Sequence, residues 1–174
     1  MTWDWREDLE VNAGSKSLSG AISALILVPS FASIFWIRIM LAFQAKNSRL
    51  SRFFSRLVAA HIATTYGIHI SVLVKEIGIR FRLPHPTGIV IGDGTSIGND
   101  VLILQNVTLG RRSLSEPGTP IIGNGVSILA GAVVLGAITI GENAVIGANA
   151  VVLKDVPANM TVVGVPARPI SVKS

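Results

Sequence analysis

Three histidines, His61, His69 and His85, are the side chains of this sequence best suited to moving a proton near neutral pH. The 174 residues include no cysteine, which excludes a thiol nucleophile, a thiolate metal site and a disulfide framework. His85 stands apart from the other two because Pro84 and Pro86 restrict the backbone on either side of it. A histidine on such a turn is either a surface residue or a general base. His61 falls in an apolar helical stretch and reads as structural, and His69 reads as structural or as a supporting group. A second cluster able to do chemistry is the polar run Arg111 to Pro120, which holds Arg111, Arg112, Glu116 and Thr119.

The elements that must position these residues follow from a repeat. Inward-type aliphatic residues fall at Ile77, Leu83, Ile91, Ile97, Ile103, Leu109, Ile122, Ile128, Val134, Ile140, Ile146 and Val152, and nine of the eleven steps equal six. Six-residue periodicity is the signature of a parallel β-helix, with one short strand per repeat and three repeats per triangular coil. Twelve repeats therefore predict about four coils, their aliphatic residues stacked inside. The small residue after each aliphatic one is expected to turn the corner, glycine accepting positive φ there. The two irregular steps become outward loops. Leu83 to Ile91 has two extra residues and contains His85, and Leu109 to Ile122 contains the 111–120 run. Loops on a rigid scaffold are where function concentrates.

Fourteen of the 17 glycines lie from Gly78 onward, and the region before that has a different grain. Residues 1–66 read as an N-terminal helical segment, 67–170 as the β-helix and 171–174 as a short tail. Phe53, Leu57, Ala60 and Ile62 recur at helical spacing, with Arg49, Arg52 and Arg56 on another face. The stretch Ala21 to Phe43 is long and apolar with Arg38 as its sole charge, although Pro29 and Arg38 argue against a simple span. It reads first as a helix buried in an oligomer and second as a site of peripheral membrane contact.

Charge sharpens this division. The chain carries a net charge of +5, with only 14% charged residues. No acid lies between Glu10 and Glu76, whereas Lys16, Arg38, Lys46, Arg49, Arg52, Arg56 and Lys75 do. An anionic partner is expected for such a segment. Nucleic acid is not expected, because the basic residues are not interleaved with aromatics and no recognition signature is present. The low charge and 49% hydrophobic content exclude a disordered chain. The acidic opening, MTWDWREDLE, is the wrong leader for secretion, so a cytoplasmic place is expected, with the inner face of the plasma membrane as its peripheral variant. Gly92-Asp93-Gly94 is structural rather than a nucleotide loop, since its glycines fall on repeat turns and no Gly-Lys-Ser/Thr is present. A metal site of the γ-carbonic anhydrase type needs three convergent histidines, and His61 lies outside the repeat, so no metal is expected.

Four ordered motifs are His85-Pro-Thr-Gly-Ile-Val-Ile-Gly92, Ile103-Leu-Gln-Asn-Val-Thr-Leu-Gly110, Ile122-Gly-Asn-Gly-Val126 and Val163-Gly-Val-Pro-Ala-Arg-Pro169. Together they resemble the serine acetyltransferase branch of the left-handed β-helix acyltransferases over residues 67–170. The opening Arg6-Glu-Asp-Leu9, with Lys16-Ser17, resembles the short relatives that O-acetylate exopolysaccharides such as colanic acid. The resemblance implies a left-handed β-helix, acetyl-CoA as co-substrate, direct acetyl transfer to a hydroxyl with His85 as base, and a homotrimer with acetyl-CoA between adjacent subunits. By the same resemblance, the amide at the Gly110–Arg111 turn holds the oxyanion. Ala130 and Ala148 leave room for the pantetheine arm, and Arg168 meets the CoA phosphates.

The departures from the serine enzymes concern the acceptor. Those enzymes carry Leu-Asp-His where this chain has Leu83-Pro84-His85, and Asp-Arg-His-Pro where it has Pro117-Gly118-Thr119-Pro120. The aspartate that orients their catalytic histidine is also missing near Gly67-Ile-His-Ile70, leaving His69 or Glu116 as stand-ins. Zwitterionic serine needs charged partners in a buried site. Their absence points to a less charged hydroxyl, such as a sugar's, with Thr119 and Glu116 on the substrate side and serine O-acetylation as the alternative. The shorter N-terminal segment and the end at Ser174 carry the further expectation that cysteine feedback and docking to a following enzyme are absent.

Overall fold

The computed structural model describes residues 4–46, 48–113 and 115–170; the 171–174 tail lies outside the described residues. Four helices precede the repeat: α1 (Trp5–Ala13), α2 (Leu18–Leu27), α3 (Pro29–Ala45) and α4 (Arg49–Tyr66). Asp4 caps α1 by accepting a hydrogen bond from the Arg6 amide, and Gly14 closes it in the left-handed conformation. The apolar 21–43 stretch is not one helix. Pro29 holds Val28 in extended backbone and opens α3, so α2 and α3 meet at a 104° bend. Among the described residues no single helix is long and apolar enough to cross a membrane.

The chain then winds through three flat faces. The first face stacks β1 (His69–Ile70), β3 (Val90–Ile91), β6 (Thr108–Gly110), β9 (Val133–Leu135) and β12 (Val151–Val152). The second stacks β2 (Glu76–Ile77), β4 (Ser96–Ile97), β7 (Ile121–Ile122) and β10 (Thr139–Ile140). The third stacks β5 (Leu102–Ile103), β8 (Ser127–Ile128), β11 (Val145–Ile146) and β13 (Thr161–Val163), and β14 (Arg168–Ile170) returns antiparallel along β13. All other pairings are parallel, with inward residues in register, such as Ile91↔Leu109 and Leu109↔Val134. All twelve aliphatic residues of the repeat are buried.

Two details differ from the sequence expectation. The chain completes five turns rather than four, because Ile70, Val156 and Val162 also point inward and fill the end coils, Ile70 and Val156 breaking the six-residue spacing. The glycines that directly follow the inward residues do not carry positive φ. Most are required by coil spacing: a Cβ on Gly98 would lie 2.9 Å from the Asn124 amide nitrogen, and one on Gly141 2.4 Å from that of Ala158. Positive φ instead falls three residues after the inward one, at Arg80, Gly94, Asp100, Asn106, Gly125, Gly131, Asn143 and Asn149. Asparagine and glycine tolerate that conformation best.

The helices close the first end of the prism. Ile34, Ile37 and Met40 of α3 and Ile62 of α4 join one continuous core with the coil aliphatics. A buried ion pair fastens α1 and α3 to the first coil. Arg38 Nε donates to Asp8 Oδ2 at 2.9 Å, and its Nη1 donates to the Ile77 carbonyl at 2.6 Å. Asp8 Oδ1 accepts from the Phe81 amide at 3.1 Å, and Asn12 donates to the Phe81 carbonyl. Arg38 therefore belongs to the scaffold and not to the basic surface in which its position in the sequence placed it.

Candidate functional site

His85 lies on the edge between the third and first faces, where the two extra residues bulge outward. The Thr87 amide donates to the His85 carbonyl at 2.8 Å, closing a tight turn over Pro86 and leaving the imidazole exposed. The turns below it stack in order. Asn106 N donates to Thr87 O, Gly131 N to Gln105 O, and Asn149 N to Ala130 O. His85, Gln105, Ala130 and Ala148 thus occupy successive levels of one edge. Ala130 is half-buried and Ala148 exposed, so the edge carries only methyl side chains at these two levels.

Gly110, Arg111, Glu116 and Thr119 belong to the next edge, between the first and second faces. Strand β6 ends at Gly110, so the first amide beyond the strand is that of Arg111. Arg111 pairs with Asp93 at 3.6 Å, and Asp93 also accepts a hydrogen bond from the Ser71 hydroxyl of the coil above. The 111–120 run folds down the same edge: a Cβ on Gly118 would meet Ala137 of the next coil. Glu116 is exposed there, and Thr119 is half-buried.

The two edges stand apart within one chain. The strand segment from Gly88 to Gly92 separates them by roughly 13 Å at about 3.3 Å per residue. Among the described residues neither His69 nor Glu116 hydrogen-bonds to His85. His69 sits outward on β1 with its backbone bonded to Ile89. His61 packs its ring 4.9 Å from that of Trp36 and 6.3 Å from that of Tyr66, a packing role. Arg168 is exposed on β14 and donates to the neighbouring Ala167 carbonyl. No group of metal-ligating side chains occurs among the described residues. A cavity of about 510 Å³ between α3 and the first coil, lined by Leu41, Gln44, Val74 and Ile79, holds none of these groups.

Gly110, singled out by its motif, differs from the other glycines in its surroundings. Every other glycine has positive φ or would place a Cβ closer than 3.4 Å to another atom, whereas a Cβ on Gly110 meets nothing within 4 Å. The fold itself does not require glycine here, so the open space beside Gly110 is available to a ligand or to a second copy. Gly110→Ala is expected to leave thermal stability unchanged or raised by about 0.4–1 kcal/mol, while raising KM for acetyl-CoA tenfold or more. Gly98→Ala, by contrast, should destabilise. Melting curves with acetyl-CoA titrations check both, and unchanged kinetics in Gly110→Ala would remove Gly110 from the site.

Comparison with known proteins now decides the family. The model for bacterial transferase hexapeptide (six repeats) matches residues 119–154. A serine acetyltransferase of Buchnera aphidicola subsp. Acyrthosiphon pisum is 53% identical over 97 residues, covering 55% of this chain and 35% of that protein. The structure of soybean serine acetyltransferase complexed with serine superposes with TM-score 0.80 at 34% identity, covering 94% of this chain and 67% of that one. The chain belongs to the hexapeptide-repeat transferases. A further member, a serine acetyltransferase in complex with CoA, matches with TM-score 0.79 at 33% identity over 95% of this chain and 67% of that one. The chain spans between a third and two thirds of the length of these relatives. They are serine acetyltransferases, not the polysaccharide-modifying members that the opening residues suggested.

Proposed function

We propose that the chain is an acetyl-CoA-dependent O-acetyltransferase that moves the acetyl group directly to an acceptor hydroxyl. The observation that carries this reading is Gly110, a glycine without a packing reason beside the first amide beyond a strand end, in a chain 33% identical to a serine acetyltransferase solved in complex with CoA. His85 takes the proton of the acceptor hydroxyl, and the oxygen attacks the thioester carbonyl. The Arg111 amide stabilises the resulting oxyanion. The carbon–sulfur bond then breaks, and the imidazolium returns its proton to the departing thiolate. No acyl-enzyme forms, in keeping with a chain that has no cysteine.

A cleft containing both His85 and the Gly110–Arg111 turn requires the edge of one copy to face the edge of another. A homotrimer of prisms standing side by side around a common three-fold axis supplies that arrangement. In it the low edge at Ala130 and Ala148 accommodates the pantetheine arm, and Arg168 lies near the CoA phosphates.

L-serine is the acceptor that the relatives support, because serine acetyltransferase is the name they carry and one was solved complexed with serine. A sugar hydroxyl is the second reading. One observation favours it: Pro84 and the 117–120 run offer no charged side chain to a zwitterion. Thr119 and Glu116 would then face the saccharide. Following CoA release from acetyl-CoA with L-serine separates the readings. Turnover is expected with a KM for serine well above that of a relative carrying Asp-Arg-His-Pro in this loop. Release with saccharides and none with serine would establish the sugar instead, and no acceptor-dependent release at all would overturn the transferase.

A further inference from the structure

We infer that α4 is an interfacial helix that docks this protein on an anionic lipid bilayer. The inference is independent of the acyl-transfer reading and concerns a different surface. α4 presents a mixed side to the protein interior: Ser51, Ser55 and Ile62 are buried, Val58 and Ala59 pack against the core, and Ser55 donates to the Met40 carbonyl at 3.2 Å. The large apolar residues of its first half face outward instead. Leu50 is 66% exposed, Phe53 56%, Phe54 40% and Leu57 50%. The sequence expectation that Phe53, Leu57 and Ala60 pack inward is thereby reversed; of that set only Ile62 is buried.

Arg49, Arg52 and Arg56 occupy the adjoining stripe of the same helix, all exposed and in no ion pair among the described residues. An exposed stripe of leucine and phenylalanine flanked by unpaired arginines is the pattern of a helix lying in a headgroup layer. The rings enter the acyl boundary while the guanidinium groups reach back to the phosphates. Phe53 and Phe54 pack edge to face at 5.8 Å, and Phe54 stacks on Phe43 at 5.5 Å, so the apolar ridge is held rigid before it meets a partner.

Charge selects the occupant. In an antiparallel two-fold pairing of this face with itself, the arginine stripe would meet its own copy. No carboxylate is available on the helix to offset that repulsion, since residues 11–75 contain no acid. An anionic bilayer neutralises the stripe and buries the ridge together.

Flotation of the full chain with phosphatidylglycerol–phosphatidylcholine vesicles tests this, with pure phosphatidylcholine vesicles alongside. Binding is expected to the anionic vesicles, weakened tenfold or more in 0.5 M salt, in Phe53→Ser/Phe54→Ser and in Arg49→Glu/Arg52→Glu. Circular dichroism and light scattering of the same variants should show unchanged helicity and mass. Absence of flotation with anionic vesicles would overturn the proposal, as would equal binding to both vesicle types. A fall in oligomer mass in the variants would instead assign the face to contacts between copies and overturn it equally.

Discussion

His85→Ala lowers kcat by roughly 10²–10⁴-fold, the contribution of a positioned general base, while CoA still binds. The split follows from where the structure puts the residue. His85 sits at the upper end of its edge, exposed on a turn closed by a backbone hydrogen bond, and among the described residues its imidazole makes no hydrogen bond. Its removal therefore disturbs neither the coil stack nor the Ala130 and Ala148 levels below it. A fluorescent CoA displacement assay and single-turnover kinetics measure the two halves of the expectation. Activity within threefold of the parent would sink the direct-transfer mechanism, because among the described residues no other imidazole shares that edge. A companion His69→Ala should change kcat far less, since His69 makes no hydrogen bond to His85; an equal loss would make His69 the group that positions it.

The largest effect on stability is expected at the ion pair between the helices and the first coil. Asp8 is fully buried and Arg38 is 5% exposed, and between them they make contacts to Ile77, Gly78 and Phe81. Asp8→Ala leaves a guanidinium buried without its anion, a loss of about 3–5 kcal/mol. At about 2–4 °C per kcal/mol for a domain of this size, the melting temperature should fall by roughly 6–20 °C. Replacing both partners by apolar residues, Asp8→Leu with Arg38→Met, should recover most of that loss, because desolvation of the charges disappears together with their attraction. Asp4→Ala, which removes only a helix cap, should cost about 1 kcal/mol. If Asp8→Ala melts like Asp4→Ala, the pair does not fasten the helices to the prism. The exposed network of Lys16 and Arg80 with Glu7 and Glu10 carries no comparable expectation, since surface pairs contribute little.

The coil was legible in the sequence because its physics is local and repetitive. An inward position must recur every six residues, or the stack would expose an aliphatic side chain, so Ile91, Ile97 and Ile103 announce themselves. The end coils were less legible: Ile70 and Val156 point inward there but lie outside the six-residue spacing, and Val156 marks its level by a single bridge. His85 and the 111–120 run were legible for the converse reason, as the places where the period fails. Gly110 was legible as a motif residue, but the open space beside it shows only once every other glycine has a neighbour or a positive φ to explain it.

The chain by itself thus determined a β-helix, its interruptions and the residue types placed in them, all properties of spacing along one strand of sequence. Tertiary structure decided the rest. The side of α4 that turns inward depends on what α3 and β1 offer it, here the Met40 carbonyl and the top of the coil core, and not on the helix's own apolar stripe. Whether Arg38 was surface charge or buried anchor depended on Asp8, thirty residues away. The separation of His85 and Gly110 onto two edges arises from the width of a strand face, a distance that no spacing along the sequence contains.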